Sequence, residues 1–120
     1  MTERRLESNS QLRRPGEGRD PASVVMKHPC VYMLASGWRG TLYVGVTSDL
    51  VKRAWEHKQD CVDGFTRQYS VHDLVWFEQH WTMESAIARE KAIKEWRREW
   101  KVRRIEAMNP TWRDLYPDLL

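Results

Sequence analysis

The sequence predicts an α+β fold that opens with a β-hairpin and runs in the order β-β-α-β-α-α, and three observations carry that expectation. Two apolar runs, CVYMLAS and TLYVGVT, are separated only by Gly37, Trp38, Arg39 and Gly40, the length of a hairpin loop. A third run, VHDLVWFEQH, follows a helical stretch. From Met83 to about Met108 the chain holds no Gly or Pro and is rich in strong helix formers. At 120 residues there is room for one domain and not for a second full one.

Residues 1–26 mix Arg, Glu, Ser, Gly and Pro without apolar periodicity, so they read as a flexible tail; 27–120 is the folded unit, and Met26 is an alternative start. The pattern changes at Pro29, where the first strand begins. In the hairpin loop Gly37 and Gly40 are able to take positive φ at both ends. Asp49 or Ser48 then caps a helix, DLVKRAWEHKQ, in which Leu50, Val51, Ala54 and Trp55 mark the buried stripe. Arg53 and His57, four residues apart, share a face beside that stripe. CVDGFTRQYS is polar and reads as a surface loop before the third strand. Thr82 caps the next helical region, to which Ala86, Ile87, Ile93, Trp96, Trp100 and Ile105 supply apolar turns. Its stripe drifts at Trp96-Arg97-Arg98, which predicts a break into two helices. Asn109-Pro110 ends the region, and TWRDLYPDLL adds a short turn with Trp112, Leu115 and Tyr116 packing back.

Composition narrows the function classes. Hydrophobic residues at 41% and charged residues at 31% describe a soluble globular chain, neither disordered nor membrane-spanning. No apolar run approaches the roughly 20 residues of a membrane helix and no signal peptide is evident, so the cytoplasm is the expected address. Cys30 and Cys61 are too few for a disulfide framework and lack metal-ligand spacing, so they read as packed thiols. A net charge of +3 permits an anionic partner such as nucleic acid without demanding one. The seven tryptophans are expected in the core rather than as base-stacking platforms.

Tyr32 and Tyr43 each project from one face of a strand, and pairing around the hairpin loop would set both hydroxyls on the same face. Tyrosines also favour strands for packing alone. Gly45 removes a side chain in mid-strand, which suggests close approach of a ligand or a helix. Arg53, His57 and Glu90, taken singly, could be ordinary helix surface residues.

Taken in order, Val31-Tyr32-Met33, Tyr43-Val44-Gly45, Thr47, Arg53 and His57, Glu90 in AIAREKAIKEW and Asn109 in MNPTW resemble the GIY-YIG nuclease family, and most closely its small stand-alone bacterial members. The resemblance runs from about Lys27 to Leu120. Val31 stands where the first motif has Gly and Met33 where it has Ile; both remain strand-compatible apolar residues, and Tyr32 is unchanged. The resemblance implies a three-stranded antiparallel sheet flanked by helices, and metal-dependent hydrolysis of DNA phosphodiesters. It also implies roles: Tyr32 and Tyr43 position or deprotonate the attacking water, Arg53 holds the scissile phosphate, His57 assists the tyrosines, Glu90 ligates the metal, and Gly45 and Asn109 support the site.

Elementary chemistry agrees with that set. A phosphodiester transition state gathers negative charge, for which Arg53 offers a planar donor fork and a cation the remainder. Mg²⁺, or Mn²⁺ in its place, takes one or two protein carboxylates and fills its shell with water and phosphate oxygens, so a lone Glu90 suffices for one ion. A phenol with pKa of about 10 is ionised only to about one part in a thousand at pH 7, so a cation or a proton acceptor such as His57 must assist. Either tyrosine could be the base; Tyr43 is preferred. The run Arg97, Arg98, Lys101, Arg103 and Arg104 is either a solvated face or a phosphate-tracking surface. The expected partner is therefore DNA, with RNA as an alternative and a targeting protein as a further partner. The competing function is a nucleic-acid-binding accessory protein with weak or no cleavage.

Overall fold

The computed structural model describes residues 28–59 and 64–120; the tail at 1–26, Met26 as a start and Cys61 lie outside the described residues. The hairpin forms as expected from strands β1 (Cys30–Ala35) and β2 (Leu42–Thr47). Its loop differs in detail. Gly37 takes a positive φ, 159°, but the other positive φ falls on Arg39, at 53°, and not on Gly40. Gly40 is needed for space, because a Cβ there would lie 2.2 Å from Ser36 Oγ, the atom that accepts a hydrogen bond from the Thr41 amide.

Helix α1 (Leu50–Lys58) starts where Asp49 accepts from the Lys52 amide at 3.2 Å, which satisfies one of the amides a helix start leaves open. A short helix, α2 (Phe65–Gln68), stands where the sequence suggests only a loop. Strand β3 (Asp73–Gln79) then pairs antiparallel with β1, giving the sheet order β2-β1-β3. Helices α3 (Met83–Lys94) and α4 (Arg98–Met108) follow, separated at the expected break, with Thr82 accepting from the Ser85 amide at 3.1 Å. A 3-10 turn, Tyr116–Leu119, closes the chain. Among the described residues no helix is long and apolar enough to cross a membrane.

Central β1 is buried along its whole length, and its alternation feeds two cores. Cys30, Tyr32 and Leu34 pack with Leu50 of α1, Leu74 and the C-terminal Leu115 and Leu119. Val31, Met33 and Ala35 pack with Val75 and Trp76 and, from α3 and α4, with Ala86, Ile93 and Ile105. A bulge between Met33 and Leu34 lets Val75 and Trp76 both join this second core. Tryptophan usage departs from expectation: Trp76 and Trp112 are buried, whereas Trp38, Trp55, Trp81 and Trp100 are exposed. Ile87 is likewise exposed, and Trp55 leaves the α1 stripe to Leu50, Ala54 and His57.

Candidate active site

In the β1–β2 register Tyr32 lies opposite Gly45, and Leu34 opposite Tyr43. Directly paired residues of an antiparallel ladder share a face, so both tyrosines project toward α1. Their ring centroids are 6.3 Å apart, and those of Tyr43 and His57 are 5.5 Å apart. Gly45 is explained by this register and not by a ligand or helix. A Cβ there would sit 2.4 Å from Cζ and Oη of Tyr32, so only glycine lets that ring lie flat across β2.

His57, 1% exposed, is the buried hub of the cluster. Its Nε2 lies 3.1 Å from Tyr32 Oη and its Nδ1 lies 3.1 Å from Thr66 Oγ1. Burial first, and then the Arg53 charge, lower its pKa to about 4. A neutral imidazole at pH 7 has one N–H and one acceptor nitrogen, so the two hydroxyls take complementary roles around it. That state fits an orienting partner better than a resting proton acceptor. Thr66 escapes sequence reading because it lies in a polar stretch; only the packing of α2 against α1 makes it a buried contact.

Arg53 reaches the same hydroxyl. Burial raises the Tyr32 pKa most, the neighbouring Tyr43 adds to it, and the charge and hydrogen bond of Arg53 oppose them. Arg53 Nη1 also donates to Glu56 at 3.1 Å, while about two-fifths of the side chain faces solvent. Arg53 and His57 thus act from one helix face on one phenol, as their i, i+4 spacing suggests.

Glu90 enters from α3 at the centre of the stripe Ala86, Glu90, Ile93, and its charge is felt at Tyr32. It is 8% exposed, and its Oε2 is held by Lys94 Nζ at 2.6 Å. Among the described residues it makes no other bond. The sequence shows Lys94 four residues after Glu90, but only the structure shows that this cation guards the carboxylate. No group of three or more His, Cys, Asp or Glu side chains gathers into a metal cage among the described residues. A single buried carboxylate fits one hard cation whose other ligands are water and phosphate oxygens.

Asn109 stands apart from the tyrosines. Its Nδ2 donates to the carbonyls of Val75 at 3.1 Å and Arg113 at 2.8 Å, so it clips the C-terminal segment to β3. The basic run divides. Arg98 donates to the carbonyls of Arg39 and Gly40 at 2.7 and 2.9 Å, which latches α4 to the hairpin. Arg97, Arg103 and Arg104 are exposed, and Lys101 is half-buried with its pKa lowered by burial. Arg104 lies over the Trp96 ring at 5.6 Å.

Residues 28–103, more than half of the chain, match the model of the GIY-YIG catalytic domain. The chain belongs to that family. The match spans the hairpin, α1, β3, α3 and the first part of α4, and so contains every residue of the cluster around Tyr32. GIY-YIG domains are nuclease domains, and the family generally depends on a divalent metal ion. Comparison with curated proteins returned no match, and neither did comparison with solved structures.

Proposed function

We propose that this GIY-YIG protein is an endonuclease that hydrolyses DNA phosphodiester bonds with one Mg²⁺ or Mn²⁺ ion, in structure-selective nicking during DNA repair or processing. The observation that carries this reading is the convergence of Tyr32, Tyr43 and His57, with ring centroids 5.5–6.3 Å apart, beside Arg53 and within the field of Glu90. Glu90 would hold the ion, which when bound neutralises charge on the phosphate and at the leaving oxygen.

The remaining work falls to the chain's own groups. Arg53 directs its solvent-facing N–H groups at the non-bridging phosphate oxygens, where charge grows in the transition state. Tyr43 is more exposed than Tyr32, so its hydroxyl is the one that meets the attacking water, accepting that proton as it passes its own phenolic proton to bulk water. Tyr32 is held by His57 and Arg53 and serves as the fixed wall that orients that water. Thr66 in turn orients His57. Lys94 keeps the Glu90 carboxylate in place before the cation arrives. Arg97, Lys101, Arg103 and Arg104 contribute salt-dependent phosphate contacts, and residues 1–25 are dispensable.

The test is single-turnover cleavage of duplex, single-stranded, branched and RNA substrates with Mg²⁺, Mn²⁺ or chelator. Metal-dependent nicking is expected, and Glu90→Gln should lose it while keeping the fold by circular dichroism and most of the DNA affinity. If folded Glu90→Gln and Tyr43→Phe cleave like the wild type, the protein is an accessory nucleic-acid binder instead.

A further inference from the structure

The aromatic cluster does not stop at the tyrosines. Phe65 stacks on Tyr43 with centroids 6.3 Å apart and planes only 27° from parallel, and Tyr69 lies 4.7 Å beyond Phe65. The three rings lead from the buried site to solvent, where Phe65 is 44% and Tyr69 48% exposed. These outer rings are fixed in place. Thr66, between them, is buried against His57, and its carbonyl accepts from the Val71 amide at 2.9 Å. Among the other exposed rings, Trp38 and Trp100 carry the guanidinium groups of Arg39 and Arg97, whereas Trp55 and Trp81 stand apart from the ring series that leads out from Tyr43.

We infer that Phe65 and Tyr69 form a stacking shelf for an unpaired nucleobase beside the scissile phosphate. This rests on the nuclease reading, because Tyr43 and Arg53 set where that phosphate lies. A phosphate seated there carries its neighbouring nucleotide outward, and the exposed rings continuous with Tyr43 offer it a π-face at one nucleotide's reach. A base inside a duplex has both faces covered by its neighbours, so the shelf serves only a base already out of the stack. Ring stacking tolerates any base, so the shelf selects for structure and not for sequence. Arg53 on α1, about two-fifths of whose side chain faces solvent, suits the backbone of such a strand.

The test compares binding, in chelator so that nothing is cut, of three fluorescently labelled 12-mers: oligothymidylate, an abasic strand with the same phosphates, and a paired dT–dA duplex. The wild-type full chain is expected to prefer the thymidylate strand to the abasic one by at least about fivefold, since one stacked base is worth about 1–3 kcal/mol. Phe65→Leu/Tyr69→Leu should erase that preference and leave abasic and duplex affinities unchanged. Should the double variant fail to fold by circular dichroism, Tyr69→Leu alone, whose ring is half exposed, should lose about half of the logarithmic preference. Retention of the full preference in a folded variant, or equal losses on all three ligands, overturns the shelf. Cleavage is scored separately. A protein that stacks bases through these rings but never cuts refutes only the nuclease reading, and one that cuts with shelf-independent binding refutes only the shelf.

Discussion

The two faces of the β1 strand make a controlled comparison within six residues. Beneath α3 and α4 lie Val31, Met33 and Ala35, in an apolar layer with Val75, Trp76, Ile93 and Ile105. On the other face Cys30 and Leu34 are equally buried, but Tyr32 between them meets His57, Arg53 and the bare backbone of Gly45. One face therefore has a polar notch in β1 itself, whereas on the other the strand is wholly apolar and the buried polar group, Glu90, comes from α3. Under the proposed function, alternation along β1 assigns stability to one set of its residues and chemistry to Tyr32 on the other, so the parity of a substituted position in this strand foretells which property it changes.

That division is broken or sharpened by four measurements. The largest effect on stability is expected on the closed face. Met33→Ala should cost about 2–5 kcal/mol in urea unfolding, because a fully buried side chain leaves a cavity, while the folded fraction still cleaves at the wild-type single-turnover rate. Loss of chemistry at full occupancy of the folded state would show that the two faces are coupled.

Next, Gly45→Ala adds one methyl on the open face, 2.4 Å from Tyr32 Cζ and Oη. Overpacking of this kind costs about 1–3 kcal/mol, and displacement of the Tyr32 ring should lower cleavage at least about a hundredfold. A variant that cuts normally would mean that the position of Tyr32 does not matter.

Tyr32→Phe and Tyr43→Phe should separate two kinds of tyrosine. Both are expected to lose cleavage, Tyr43→Phe at least as severely. Only Tyr32→Phe should also lose about 1–2 kcal/mol, because it leaves buried His57 Nε2 without its partner. Equal stability of the two variants by thermal unfolding would contradict the buried network.

The smallest effect is a pH dependence. His57 has a folded pKa of about 4 against an ordinary value near 6.5, so the unfolded chain binds the proton first as pH falls. The stability that neutral His57 contributes is therefore complete above about pH 6.5 and drains away toward pH 4. The gap between wild type and His57→Gln in denaturant midpoints should shrink across that window, and a constant gap would show that His57 is not held neutral.

Most of the element pattern is legible from neighbours a few residues apart. The caps at Asp49 and Thr82, the hairpin and the break near Trp96 all appear where local rules place them. The errors share a cause. Hydrophobicity places Trp55 in the α1 stripe, yet His57 takes the inward place because its ring is bonded to Tyr32, 25 residues earlier in the chain, and to Thr66, nine residues later. The sequence places Arg98 in a run that is either a solvated face or a phosphate-tracking surface, whereas its guanidinium is bonded to the hairpin loop some 58 residues earlier in the chain.

Element type and order follow from composition and period, since these depend on contacts within a turn or a strand, and the candidate site residues come from the ordered motifs that resemble the family. Which of those residues meet depends on the sheet order β2-β1-β3 and on the pairing of Tyr32 with Gly45. Those are contacts between distant segments. The burial of His57, the clearance at Gly45, the guarding of Glu90 by Lys94 and the placing of Asn109 at β3 instead of beside the tyrosines exist only once the segments pack. A side chain's partners in space are set by strand register and helix docking, and hydrophobic periodicity carries no record of either.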